Sequence, residues 1–178
     1  LYDGTEHRRF VVGDRLVIGR DPQCELVLAD AGVSRKHAKL TWDAAGLKLA
    51  ELGSRNGTRW RALGIDGSVA IDGQGELACG PEAKLALEPG APPTSTSTSI
   101  QTLQLTVRSG SQRGLVIVFS PAPIAISAGL TVRLDASGWL ALDPGGSARL
   151  NDLPIKGPFE PLAGDRLELP QGAFEIAR

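Results

Sequence analysis

Ala38-Lys-Leu-Thr-Trp42, then Asp43-Ala-Ala-Gly46, then Leu47-Lys-Leu-Ala50 is the stretch whose reading decides the fold. Apolar and polar residues alternate on both sides of a four-residue break, which is the period of a half-buried strand. The break ends in Gly, which takes a positive φ at no steric cost, so the stretch predicts a β-hairpin. Working outward, Arg15-Leu-Val-Ile18 and Leu26-Val-Leu28 are further short apolar runs. Gly, Asp and Asn punctuate such runs every eight to twelve residues, a rhythm that predicts an antiparallel sandwich or barrel. No amphipathic helix exceeds two turns. The expected class is all-β, two tandem β-sandwich domains with short helical turns only.

The break between the halves is Pro89-Gly-Ala-Pro-Pro-Thr-Ser-Thr-Ser-Thr-Ser99. Pro, Ser and Thr cannot bury a core, so residues 91–99 read as a linker between a domain at 1–90 and one at 100–178. The halves repeat weakly. Trp42-Asp-Ala-Ala-Gly-Leu-Lys-Leu49 recurs as Leu134-Asp-Ala-Ser-Gly-Trp-Leu-Ala-Leu142, and Gly53-Ser-Arg-Asn56 is matched to Ser147-Ala-Arg-Leu-Asn151.

The 178 residues carry 19 Lys+Arg against 20 Asp+Glu, a net charge of −1. That balance gives no global reason to bind nucleic acid or an anionic membrane, so any anion site is local. No apolar run approaches the roughly 20 residues of a bilayer span, no signal peptide opens the chain, and a cytoplasmic setting is expected. The chain starts at Leu1 and contains no Met, as a piece of a longer protein would. Cys24 and Cys79 have neither metal-site nor disulfide-framework spacing and read as ordinary thiols. Arg outnumbers Lys fourteen to five, which hints at a GC-rich bacterial genome.

Three clusters carry chemistry: Gly19-Arg20, Ser34-Arg-Lys-His37 and Ser54-Arg-Asn-Gly-Thr58. Each falls in a loop at a strand end, where rigid sandwiches present binding groups. Arg20 and Arg35 offer planar forks that match a phosphate bidentately. The Ser34 hydroxyl adds a donor, and Asn56 carries both a donor and an acceptor for a peptide main chain. A phosphorylated side chain brings about −1.5 to −2 charges and three acceptor oxygens.

Taken singly, each residue has a plainer reading. Arg20 alone would be a solvated charge or an ion pair with Asp21 or Asp30. Ser34 alone would be a turn residue, and His37 a hydrogen-bonded structural histidine. Asn56-Gly57 alone is a type I′ turn. Asn56-Gly-Thr58 also fits a glycosylation acceptor, which the missing secretory signal disfavours. Trp42 and Trp139 read as core. Ser34 and His37 do not make a hydrolase: no nucleophile elbow, Walker loop, metal cluster or dinucleotide fingerprint accompanies them. No catalysis, cofactor or metal is expected.

In combination, Val17-Ile-Gly-Arg20, Val33-Ser-Arg-Lys-His-Ala38 and Leu52-Gly-Ser-Arg-Asn-Gly-Thr58 resemble the signature of forkhead-associated (FHA) domains over about residues 8–88. The resemblance implies a two-sheet sandwich whose loops bind phosphothreonine peptides. Arg20 and Ser34 would hold the phosphate, and Arg35 the phosphate or the adjoining peptide. Arg55 would line the peptide groove and Asn56 bond its main chain. Gly19, His37, Gly57 and Thr58 would support the loops. The implied function is an adaptor that docks partners phosphorylated by a Ser/Thr kinase. The alternative is a structural module of a larger bacterial assembly, such as a secretion apparatus, with an idle pocket. Arg59 and Arg61 are expected to favour acidic residues flanking the phosphothreonine.

The second half resembles a degenerate copy. Ile124-Ala-Ile-Ser-Ala128 stands where Val17-Ile-Gly-Arg20 would, with Ala128 in place of the arginine, and Asp152 follows Asn151 where a glycine is expected. Residues 91–178 hold seven Lys+Arg and seven Asp+Glu, against twelve and thirteen in residues 1–90. Fewer charges suit a domain that packs against the first domain, a second copy or another protein. Thr94, Thr96 and Thr98 in the linker are candidate phosphoacceptors for the chain's own pocket.

Overall fold

The computed structural model describes residues 8–89, 102–110, 112–127, 129–136, 140–170 and 172–175. The linker threonines, Ala128 and Trp139 lie outside them. Every regular element among the described residues is a strand. The first half holds β1 (Arg8–Val12), β2 (Arg15–Gly19), β3 (Leu26–Val27), β4 (Ala38–Asp43), β5 (Gly46–Glu51), β6 (Thr58–Trp60), β7 (Leu63–Ile65), β8 (Ser68–Ala70), β9 (Gly75–Cys79) and β10 (Ala83–Pro89). The second holds β11 (Leu103–Val107), β12 (Val116–Ser120), β13 (Ile124–Ser127), β14 (Leu130–Leu134), β15 (Leu140–Pro144), β16 (Ala148–Leu150), β17 (Leu153–Ile155), β18 (Arg166–Leu169) and β19 (Gly172–Glu175). The all-β expectation holds. The predicted hairpin is β4–β5, with Trp42 opposite Leu47 and Gly46 at φ 115°.

Two sheets enclose the first core. One runs β3-β2-β4-β5-β8, the other β1-β12-β11-β10-β9-β6-β7. Alternate residues meet between them: Leu16, Ile18, Leu40 and Leu49 from the first, and Leu77, Leu85, Leu105, Ile117 and Phe119 from the second, all with no exposed surface. The boundary drawn from composition therefore does not coincide with a break in the sheet. β11 lies beyond the linker, yet it pairs antiparallel with β10, Pro89 opposite Leu103 and Leu85 opposite Val107. Pro/Ser/Thr composition marks where a chain cannot form core, not which sheet the next strand joins.

β12 is buried on both faces. Ile117 and Phe119 point into the first core, while Val118 packs on a second core built from Ile124, Leu130, Val132, Leu142 and Leu167. Phe10 and Val12 of β1 pack on that second core as well. Val116-Ile-Val-Phe119 is accordingly a continuous apolar run, the pattern of a strand covered on both sides. β1 and β12 pair in parallel, each residue opposite the one 108 positions on, Arg8 with Val116 through Val12 with Ser120. The same spacing relates Arg20 to Ala128 in the sequence, so equivalent strands of the two repeats lie side by side.

The second core is faced by sheets β13-β14-β15 and β17-β16-β18-β19. These repeat β2-β4-β5 and β7-β6-β9-β10. The repeat also corrects one correspondence. Asn151 and Asp152 (φ 50° and 67°) turn β16 into β17, as Arg61 and Ala62 (φ 49° and 66°) turn β6 into β7. Asn151 is thus the counterpart of Arg61, not of Asn56. Its side chain closes the turn, with Nδ2 donating to Asp165 at 2.8 Å and Oδ1 accepting the Arg166 N–H at 2.9 Å. Asn56-Gly57 is likewise not a type I′ turn, because only Gly57 (φ 73°) has positive φ.

Candidate functional site

The loop from β2 to β4, residues 20–37, is laid along the end of β2 by backbone hydrogen bonds. Arg20 N–H donates to the Ser34 carbonyl (2.9 Å), Asp21 N–H to Arg35 (3.0 Å), and His37 N–H to Ile18 (2.9 Å). Gly19 is required by this approach: a Cβ there would stand 2.1 Å from the Arg35 carbonyl oxygen and 3.0 Å from Cys24 Sγ. Beneath the loop the buried Cys24 thiol donates to the Arg35 carbonyl (3.3 Å).

His37 ties this loop to the one between β5 and β6. It has no exposed surface. Its Nδ1 accepts the Ser34 N–H (3.0 Å), which fixes the ring proton on Nε2, and Nε2 donates to the Gly57 carbonyl (3.1 Å). Burial holds its pKa below the usual histidine value, against the opposing pull of the Gly57 hydrogen bond and the Glu51 charge. The Ser34 hydroxyl accepts the Arg55 N–H (3.0 Å), and Asn56 Nδ2 donates to the Gly32 carbonyl (2.8 Å). Glu51 braces the second loop from below, accepting the Gly53 and Ser54 N–H groups at 2.6 and 2.7 Å. Burial raises the Glu51 pKa, but the hydrogen bonds from Ser54 and Gly53 and the nearby His37 leave it net lowered.

The result is an open pocket of about 630 Å³ whose walls include Arg20, Ser34, Arg35, Lys36, Arg55 and Asn56. All five residues assigned to ligand from the sequence line it. Four cations surround one carboxylate, Asp21, and that imbalance is the local positive field the neutral chain lacks overall. The Arg20 guanidinium is oriented by its Nε–H on the Val33 carbonyl (3.2 Å), and no ion pair joins it to Asp21 or Asp30 among the described residues. Asn56 spends one amide N–H on Gly32, which leaves its Oδ1 as an acceptor and its second N–H as a donor for a peptide main chain. Thr58 is buried at the start of β6, and Gly57 accepts a second hydrogen bond, from Gly80 N–H (3.0 Å).

Two sequence expectations change. Arg61 is committed elsewhere: it bonds Asp72 Oδ1 (3.1 Å) and the Gln74 carbonyl, and lies 5.1 Å over the Trp60 ring. Neither it nor Arg59 lines the pocket. The cation missed was Lys36, exposed between Arg35 and His37; the signal was its place inside the loop motif, next to a residue already assigned to ligand. Cys24 and Cys79 are both free and buried, and no cluster of metal-ligating side chains occurs among the described residues.

In the second repeat the loop itself is gone. β13 ends at Ser127 and β14 begins at Leu130, so two residues stand where the first repeat has residues 20–37. The counterparts of Ser34, Arg35 and His37 are therefore deleted rather than substituted.

A family model described as the cytoplasmic domain of the inner membrane component of T3SS matches residues 4–90. No curated protein matches the chain. Among solved structures, the FHA domain of the CT664 protein from Chlamydia trachomatis is 30% identical over 39% of this chain and 70% of that one, at a TM-score of 0.36. A structure from work on phosphothreonine-dependent FHA domain interactions is 28% identical over 39% of this chain and 72% of that one (TM-score 0.37). The FhaA FHA domain complexed with the intracellular domain of Rv3910 is 28% identical over 39% and 76% (TM-score 0.36). With the three motifs converging on one pocket and the CT664 FHA domain 30% identical over 70% of its length, this chain belongs, through its first half, to the FHA domain family.

Proposed function

We propose that the pocket between the β2–β4 and β5–β6 loops binds phosphothreonine peptides and that the chain recruits proteins phosphorylated by a Ser/Thr kinase. One observation carries this reading: Arg20, Ser34, Arg35, Arg55 and Asn56, from two separate loops, line one open, cation-rich cavity. Arg20 and the Ser34 hydroxyl hold the phosphate, Arg35 and Lys36 extend the positive field along the peptide, and Asn56 Oδ1 accepts a peptide N–H. FHA domains are interaction modules, and nothing in the pocket pairs a nucleophile with a base. Affinity in the micromolar range, about −8 kcal/mol, is expected.

The matched model's description favours a second reading, in which the domain is a cytoplasmic structural module of a bacterial secretion apparatus and the pocket is idle. No helix among the described residues is long and apolar enough to cross a membrane. An arrayed phosphothreonine peptide library, titrated against wild type and Arg20→Ala, separates the two. Recruitment predicts binding that Arg20→Ala abolishes with the fold intact. Arg20→Lys should lose most of it too, since the fork is gone. Signal no greater than for unphosphorylated peptides leaves the structural reading.

For organisation, we propose that the first unit takes in β11 and β12, and that the second, without a phosphate loop, serves as a packed support.

A further inference from the structure

A third loop closes the back of the pocket, and the chain beyond the linker holds it there. The β9–β10 turn, Gly80-Pro-Glu82, touches both pocket loops. Gly80 N–H donates to the Gly57 carbonyl (3.0 Å) in the β5–β6 loop. Against the β2–β4 loop Gly80 packs so closely that a Cβ would stand 2.7 Å from the Gly32 carbonyl oxygen and 3.5 Å from Asn56 Cβ. Gly32 is tight in return: a Cβ there would lie 3.0 Å from Pro81 Cδ. The Gly32 carbonyl is also the acceptor that orients the Asn56 amide (2.8 Å). One side chain from the second half clasps this turn. The half-buried Ser109 hydroxyl donates to the Glu82 carbonyl and accepts the Lys84 N–H (2.9 Å), so a single group spans the exit of the turn into β10. The Arg108 N–H adds a bond to the Lys84 carbonyl (2.8 Å).

We propose that Ser109 is a positioning residue for the phosphopeptide pocket: by clasping the β9–β10 turn it seats Gly80 against Gly32, and so aims Asn56 at the peptide main chain. The proposal rests on the reading of the pocket given above. The groups assigned to phosphate are secured by other contacts. Arg20 is oriented by the Val33 carbonyl, and Ser34 by His37 and the Arg55 N–H, none of which involves the turn. Releasing the turn therefore loosens the grip on the main chain and spares the grip on phosphate. The loss of one neutral hydrogen bond between Asn56 and the peptide corresponds to about a three- to tenfold loss of affinity. Ser109 follows β11, on the far side of the linker, so the second half takes part in recognition without touching the ligand.

The test titrates the whole chain with the tightest phosphothreonine peptide from the array and, separately, with inorganic phosphate. Ser109→Ala should weaken the peptide about three- to tenfold and leave phosphate unchanged. In the ligand-free protein the Asn56 side-chain amide resonances should move. Ser109→Thr keeps the hydroxyl and should bind as the wild type does. Thr106→Ala is the control for a merely structural loss: Thr106 lies on β11 opposite Ala86 and Val116, away from the turn, and its variant should keep full peptide affinity whatever its melting temperature. If no phosphothreonine peptide binds the wild type, the reading of the pocket fails and this proposal with it. If peptides bind, three results overturn the positioning role alone. These are unchanged peptide affinity in Ser109→Ala, an equal loss of phosphate binding, or a loss in Ser109→Thr as large as in Ser109→Ala.

Discussion

Replacing His37 by asparagine tests whether the buried imidazole is the joint that sets the pocket. In the native protein the neutral ring joins Ser34 N–H to the Gly57 carbonyl. The shorter amide of His37→Asn can keep one of these bonds and leaves the other group short of a partner, a loss of about 1–3 kcal/mol at neutral pH. The pH dependence separates this from a simple packing defect. Burial lowers the folded-state pKa of His37 below the unfolded value near 6.5. Below pH 6.5 the unfolded chain binds a proton that the native state excludes, so stability falls as pH falls. The wild type therefore loses stability through this one group as pH falls below the unfolded value. The amide of the variant has no proton to gain, and carboxylates contribute alike to both proteins. Urea unfolding of both at several pH values measures the difference. The gap in stability should close as pH falls; parallel profiles would refute the assignment of His37 as a neutral bridge.

Gly19→Ala places a methyl 2.1 Å from the Arg35 carbonyl oxygen, so it should cost about 1–3 kcal/mol in thermal or chemical unfolding and abolish phosphopeptide binding. Ser34→Ala strips the acceptor from the Arg55 N–H as well as a phosphate donor, and calorimetry should show at least a tenfold loss of affinity with melting nearly unchanged. Cys79, with no exposed surface and its thiol pushed up to about 12 by burial and then by Glu51, should resist alkylation at pH 8 in the native protein and react once unfolded; rapid native labelling at that position would contradict the buried thiol.

Local pattern made part of this molecule legible. The alternation in residues 38–50 fixed β4 and β5 and their turn, because period 2 is a property of the strand itself. The three motifs located the pocket for the same reason: each loop's chemistry is contiguous in sequence. The destination of β11 and β12 was not legible, since alternation tells which residues are buried and not which edge a strand joins. The double burial of β12 did leave a trace in the unbroken run Val116-Ile-Val-Phe119. Asn151 was misassigned because deletion of the β2–β4 loop slides the two repeats out of step, so residue similarity near Arg149 pointed to the wrong turn. The engagement of Arg61 with Asp72 and Trp60 depends on a side chain reaching across to the β8–β9 connection, which no spacing rule encodes.

The interleaving of β11 and β12 with the first sandwich has a practical consequence for dissecting the protein. Trimming the chain at residue 90, where composition invites a cut, would strip Leu103, Leu105, Ile117 and Phe119 from the first core, at about 1.5–3 kcal/mol for each side chain lost. Leu85 and Leu87 would then line a sticky margin. A phosphopeptide reader isolated that way would report on a damaged sandwich, whereas a cut after Ser120 keeps its hydrophobic interior whole.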